Sequence, residues 1–586
     1  MSDAVTLFGT DQPPVEGQHY AVGPWSFTLE DGALRHIALQ GHEAIRNIAF
    51  LVRDRDWGTL APKLDNLQVA QTDATLGITY DAMFISQDAK LSVRVSIDVG
   101  PESLVMSATG DALGSFETNR AGFTVLHPIA DVAGQPVRVK HSDGSSEDSS
   151  FPDLIDPWRP FMDIAALTNQ VGSAKLCCAF HGDIFEMEDQ RQWGDASFKT
   201  YNRPLDLPWP YTIADSARLS QSVELTWAPS ATSPTSPVET GEINATFPEM
   251  ALVIGAQDAS RLAQQPSDIV AVNPQRLLCH LDAELGGTPA QFTAFAAAQR
   301  VCPDQVFDLE LICLFNADPA TELTMLAAQM RDAGFAPDSV LVCPSVDRKS
   351  TPPGSEWPDC PPLADVHTAA SHAFPDVTRG GGMVSFFPEL NRKRPPLEHL
   401  DFISHGLCPI VHSADDVSVM ETLEAIPPIT RSARAIFGDI EYRIGPSTIA
   451  MRQNPYGTRT IPNPDNERIC MAHYDPRHRG IFGAAYAVGL ACALAPVGLS
   501  VWTPAALYGP RGVIGDDGQW PISSALNGLA KCAGQKVQSA QVAHGCAEAR
   551  IGNLDLKANL TAKAQQSFAP YAWSITAANA PETTQT

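Results

Sequence analysis

The side chains able to do chemistry gather at the ends of short apolar runs in the middle of the chain. RLLCHLD (276–282) closes on His280 and Asp282, two residues apart and so on one face of a strand. FDLELICL (307–314) carries Asp308 and Glu310 in the same way, and SVLVCPS (339–345) leads to Asp347. MVSFFPE (383–389) ends on Glu389, with Asn391 and Arg392 following in FFPELNRKRPP. FISHGLCPIVH (402–412) holds His405 and ends on His412; AIFGDIE (435–441) ends on Glu441, with Arg443 beyond it; GLSVWT (498–503) ends around Trp502. Carboxylates and imidazoles among arginines suit hydrolysis by general acid–base catalysis. One group takes a proton from water, while cations and N–H donors meet the oxyanion.

Other hydrolytic chemistries lack their residues. A metal-dependent barrel hydrolase carries H-x-H on its first strand, and ALVIG (251–255) has none; H-E-x-x-H and G-x-S-x-G are also missing. No metal and no cofactor is expected. A glycosidase needs only two carboxylates at strand ends. Its common barrel pattern puts Asn-Glu after strand four and Glu after strand seven; here strand four gives CPS, and only Glu441 fits.

Each candidate also has a structural reading. His280, between Cys279 and Leu281, can be a hydrogen-bonded core histidine. Glu310 lies mid-strand and needs a cationic partner or a proton. Arg392, Lys393 and Arg394 can be a solvated run. His405 and His412 are an odd number of residues apart, which puts them on opposite faces of a regular strand unless Gly406 and Pro409 kink it. His412, nearer the strand end, has the better claim. Glu389 follows a strand introduced by three glycines, and nothing local offers it a structural role.

The elements that must position these groups follow from the rhythm of the chain. Eight apolar runs, at 251–255, 276–282, 307–314, 339–345, 383–389, 402–412, 435–441 and 498–503, alternate with helical patterns such as PAQFTAFAAAQRV and RGIFGAAYAVGLACAL. That predicts a (β/α)8 TIM-like barrel over 248–525, with chemistry at the C-terminal strand ends. An open doubly wound sheet would want a G-x-G-x-x-G or a P-loop, and neither is present. Residues 1–240 read as short alternating strands split by Gly, Asp and Pro turns, predicting a β-sandwich. A Ser/Thr/Pro-rich linker at 228–242 follows it. Residues 526–586 return to short strands and predict a small C-terminal β-domain.

One segment of the β-region stands apart. FEMEDQRQWGDASFKTYNRPLDLPWPY (185–211) sets acidic and basic residues among Trp193, Phe198, Tyr201, Trp209 and Tyr211. Such a mixture lines a polar pocket or braces an interface. Trp193, Asp195 and Lys199 are its residues expected to reach substrate.

Composition narrows the function class. A chain of 586 residues with 44% apolar and 18% charged residues can build several cored domains. Its net charge of −27 repels a phosphate backbone, so nucleic acid is not an expected partner. No apolar run is long enough to span a bilayer; 481–497 reads as a buried helix. The N-terminus lacks a signal-peptide pattern, and the 12 cysteines show no metal spacing. The expectation is a soluble cytoplasmic protein with free thiols, no membrane partner and an open oligomeric state.

Longer segments are more specific: LFGTDQPP near the start, RDRDWGT (53–59), NRAGFTVLHP (119–128), FPDLIDPWRPFMDI (151–164), residues 186–211, and FPELNRKRPP (387–396). With these the chain resembles the D-apionate lactonase family of bacterial sugar-acid catabolism over nearly its whole length. The resemblance implies hydrolysis of D-apionolactone, a small neutral polyhydroxylated lactone, to D-apionate. In that chemistry Glu389 or His412 would be the base, and Arg392 or His280 would stabilise the oxyanion. Asp282, Glu310, Asn391, His405, Glu441 and Trp502 would hold substrate, with Trp193, Asp195 and Lys199. The alternatives are a glycoside hydrolase acting on a plant-derived glycoside and a non-catalytic carbohydrate-binding protein.

Overall fold

The computed structural model describes residues 3–578 except 56, 87–88, 231–242 and 566–567. The chain forms two compact units. One comprises residues 15–191 and 196–239; the other comprises residues 1–14, 192–195 and 240–586.

The first unit is antiparallel β throughout. Alternation makes its strands: in Ala89–Val99 (AKLSVRVSIDV) every second side chain is buried. A meander from Gln18–Val22 to His42–Arg53 continues through Arg120–His127, Phe198–Asn202 and Phe185–Glu188. Beyond Ile164–Val171 the path runs through Ala174–His181, Arg218–Pro229, Ser103–Leu113, Ala89–Val99 and Leu76–Ser86 to Lys63–Gln71. The inward faces of both halves share one apolar core that includes Trp25, Phe27, Ile97, Phe123 and Leu225. Each fully buried aliphatic or aromatic side chain there contributes about 2 kcal/mol. Arg218–Pro229 takes in the first two residues of the expected linker, and 231–242 lie outside the described residues.

The second unit holds a closed parallel barrel. Its strands are β1 (Glu249–Ile254), β2 (Arg276–Asp282), β3 (Val306–Cys313), β4 (Ser339–Pro344), β5 (Thr378–Phe386), β6 (Phe402–Leu407), β7 (Glu441–Ser447) and β8 (Val501–Tyr508). β8 pairs in parallel with β1 and closes the ring. Ile312, Leu341, Cys343, Val384 and Phe402 fill its interior. At the N-terminal end an ionic plug joins neighbouring strands. Arg276 bonds Glu249, Asp308 and Asp338, while Arg443 bonds Glu441, Ser339 and Asp308.

The helix Ile481–Leu494 is buried on nearly every side. It packs against the helix Pro521–Ala530 and against a four-stranded antiparallel sheet, Val537–Ala543, Cys546–Ile551, Leu554–Asn559 and Trp573–Ala577. That double cover explains its Ala- and Gly-rich, charge-free sequence. Among the described residues no helix is long and apolar enough to cross a membrane.

Four strand ends differ from expectation. β5 stops at Phe386, and Pro388 starts the helix Phe387–Lys393, so Glu389 is helical. β6 stops at Leu407, leaving His412 in the following loop, where strand parity no longer applies. The run 435–441 is not a strand; its first residues end the helix Ile426–Phe437, and β7 begins at Glu441 instead of ending there. β8 continues to Tyr508, so Trp502 lies near its start.

Candidate active site

Barrel register builds the central group. β2 and β3 pair His280 directly opposite Glu310, and the His280 Nδ1 lies 2.7 Å from the Glu310 carboxylate. Arg452, in the loop after β7, grips the same carboxylate at 2.6 and 3.2 Å and donates to the Val384 carbonyl at 2.5 Å. Burial alone would push Glu310 up; the Arg452 guanidinium and the His280 N–H more than offset this and hold its carboxyl at about 2. An ionised Glu310 keeps the proton on Nδ1, which leaves Nε2 of a neutral His280 as an acceptor. Nε2 has no partner among the described residues, and the His280 side chain is 24% exposed. Arg511, after β8, is pushed down to about 10 by burial and by the repulsion of Arg452.

A second group surrounds the β4 and β5 loops. Arg348 bonds Asp282 at 2.6 Å and also Glu284. Lys393 bonds Asp347 and lies 5.0 Å from the Trp357 ring. Glu389 accepts from Ser350 Oγ at 2.7 Å, Thr351 N at 3.2 Å and Arg392 at 3.1 Å, all on Oε1; its Oε2 is buried without a partner. Burial pushes the Glu389 carboxyl up despite Arg392 and Ser350, and it pushes Asp347 up despite Lys393.

A second histidine–carboxylate pair lies in the same unit. His412 Nδ1 is 2.7 Å from Asp195, and its Nε2 is 3.1 Å from the Tyr456 hydroxyl. The Trp193 ring stands edge-on to His412 at 5.7 Å. Residues 192–195 thus bring Trp193 and Asp195 to the barrel loops, although their chain neighbours belong to the β-unit. Among the described residues no cluster of three or more His, Cys, Asp or Glu is arranged to hold a metal ion.

The chain matches the family description "D-apionate lactonase, N-terminal domain" over residues 5–230 and "D-apionate lactonase, TIM barrel domain" over residues 250–534. A D-apionate lactonase from Brucella anthropi is 44% identical over 529 residues, covering 88% of this chain and 86% of that protein. The chain belongs to the D-apionate lactonase family. Solved structures resemble it only remotely. A GH30 endoxylanase from Clostridium papyrosolvens gives a TM-score of 0.37 at 7% identity, covering 54% of this chain and 83% of that one. An alpha-galactosidase from Lactobacillus brevis gives 0.26 at 9% identity, covering 94% and 90%.

The remaining candidates of this family member lie elsewhere. His405 is fully buried, its Nε2 2.6 Å from the Tyr442 hydroxyl and its ring tilted against Phe387 at 5.3 Å; burial pushes it down to about 4. It faces the helix layer, because its neighbour Ser404 lines the interior cavity. Trp502 is also buried, donating to Ser447 Oγ at 2.8 Å. Glu441 sits in the ionic plug at the opposite end of the barrel from His280. Asn391 is buried and accepts from Arg394. Lys199 pairs with Glu188 inside the β-unit. Arg452, Arg511 and Arg348 were not singled out from sequence. The signal for the first two was their position just past a strand, which a correct end for β7 and β8 would have exposed.

Proposed function

We propose that the mouth of the barrel hydrolyses D-apionolactone to D-apionate, with His280 as general base. The supporting observation is the His280–Glu310 pair, set by strand register, with Nε2 left open at the C-terminal end of β2 in a chain of this family. Nε2 takes a proton from water as the water oxygen bonds the lactone carbonyl carbon. The carbonyl electron pair moves onto its oxygen, where the Arg452 and Arg511 cations stabilise the charge. Collapse breaks the bond to the ring oxygen, which leaves with the proton from imidazolium. The product is the open hydroxy acid, ionised at neutral pH. Glu310 orients the base and stabilises its charged form, as a carboxylate does behind a catalytic histidine. Asp282 and Arg348 flank this group and suit the hydroxyls of a polyhydroxylated substrate. The unpaired cysteines favour a reducing, cytoplasmic setting.

The test is lactone turnover followed by acid release. His280→Ala should lower kcat by about 10²–10⁴-fold with the fold intact by circular dichroism. Glu310→Gln should lower it to a similar degree, and aryl glycosides should not be cleaved by any form. A His280→Ala enzyme within about threefold of the native rate would remove His280 from this role.

A further inference from the structure

The β-unit contains a cation that nothing in the barrel reaction uses. Arg120 opens the strand Arg120–His127 and is only 8% exposed. Its guanidinium lies 3.9 Å from the Tyr201 ring and 5.4 Å from the Trp57 ring. Among the described residues it has no carboxylate and no hydrogen-bond acceptor. Nε is buried without a partner, while the two Nη atoms, equally without partners, retain access to solvent. Stacking on two rings offsets part of the cost of burying this charge. It leaves the planar fork of donors unspent, and a buried guanidinium without a counter-charge calls for an explanation.

The surroundings point to a ligand. Lys199 Nζ lies 5.1 Å from the same Tyr201 ring and is pushed down by burial, with Arg120 adding to the push. Lys199 is paired with Glu188, and Tyr201 donates to Glu186 at 2.7 Å, so those groups are already satisfied and Arg120 alone is left over. Beside it Trp57 and Trp209 meet edge to face at 5.3 Å, with Trp209 43% exposed. An open fork of N–H donors beside an indole wall matches one kind of molecule: a carboxylate for the guanidinium and the C–H face of a polyhydroxylated carbon chain for the indoles.

We infer that the β-unit holds a binding site, built on Arg120, Trp57 and Trp209, for a small polyhydroxy carboxylate. This is the class of acid that lactone opening releases. That last identification rests on the proposed reaction; the existence of an anion site does not.

Titration of the full-length protein with D-apionate, followed by tryptophan fluorescence and by calorimetry, tests it. The expected result is saturable binding at millimolar concentration or tighter, and none for a neutral polyol of equal size. His280→Ala should retain this binding, which separates it from the reaction site. Arg120→Gln should weaken it about tenfold or more, and Arg120→Lys should keep part of it, since a point charge replaces a fork. Trp209→Ala, at an exposed position, should weaken it several-fold and remove most of the fluorescence response, and it covers the case in which Arg120 variants do not fold. Binding unchanged by both Arg120→Gln and Trp209→Ala overturns the inference, as does the absence of saturable carboxylate binding. Failure of lactone turnover with intact, Arg120-dependent D-apionate binding would overturn the reaction and leave the site standing.

Discussion

His280 and His412 are each held at Nδ1 by a carboxylate 2.7 Å away, yet their outer nitrogens differ. That of His280 is open, whereas that of His412 meets the Tyr456 hydroxyl at 3.1 Å. A base must present an unshared nitrogen to water, so His280 has the more suitable geometry; His412 suits a hydrogen-bonding or positioning role beside Trp193. His412→Asn and Asp195→Asn should therefore lower kcat/KM by roughly tenfold, well short of the loss at His280. Steady-state kinetics on folded variants decides it, and the reverse order of effects would make His412 the base. Glu389 presents a different problem. Its one engaged oxygen collects three donors, and its other oxygen is buried. Its visible work is to brace the loop at residues 350–351, next to the Arg348 that reaches Asp282.

At the scale of elements the barrel separates chemistry from support. The plug of Arg276, Arg443, Asp308 and Glu441 joins three strands, β2, β3 and β7, at their N-terminal ends, the end that serves stability in this architecture. Glu441 is partly exposed and bonds Arg443 Nε and Ser500 Oγ, each at 2.7 Å. Glu441→Ala should cost about 1 kcal/mol and lower Tm by about 1–3 °C, with kcat/KM unchanged. A loss of turnover at unchanged Tm would put Glu441 at the substrate after all. The position of Glu441 was hidden by the composition of its strand. EYRIGPS carries Gly445 and Pro446, which argue against a central strand, while the apolar run before it belongs to a helix closed by Gly438. β2 was legible residue for residue because RLLCHLD alternates cleanly and ends in a short cap. β5 was half legible. Its three glycines look like a loop, but Gly382 has φ +124 and a Cβ there would meet the Ser404 carbonyl, so the close approach of β6 demands glycine inside the strand. Arg452 and Arg511 were lost with the ends of β7 and β8, since a loop residue can be placed only after the strand that precedes it.

For the whole molecule, buried histidines set the acid limit. His127 in the β-unit, and His367, His405 and His478 in the barrel unit, are each pushed down to about 4 by burial. In the unfolded chain each titrates near 6.5. Between those values the unfolded chain binds protons that the folded chain refuses, so stability falls as pH drops, by at most about 1.4 kcal/mol per unit for each histidine. Glu310 acts in a lower window. Its carboxyl is held at about 2, so its contribution is intact above its unfolded value near 4.5 and is lost only as pH falls toward 2. Glu389 and Asp347 act in the opposite sense, since burial raises them and the folded state takes up their protons first. They recover part of the loss at the bottom of the histidine window. The net expectation is a thermal midpoint that declines steadily from about pH 6.5 to about 4.5, before any carboxylate pairing is broken. Because the histidines occur in both compact units, melting followed by circular dichroism and by tryptophan fluorescence should shift together. A Tm that stays flat from pH 7 to pH 5 would mean that these histidines are not held neutral by the fold.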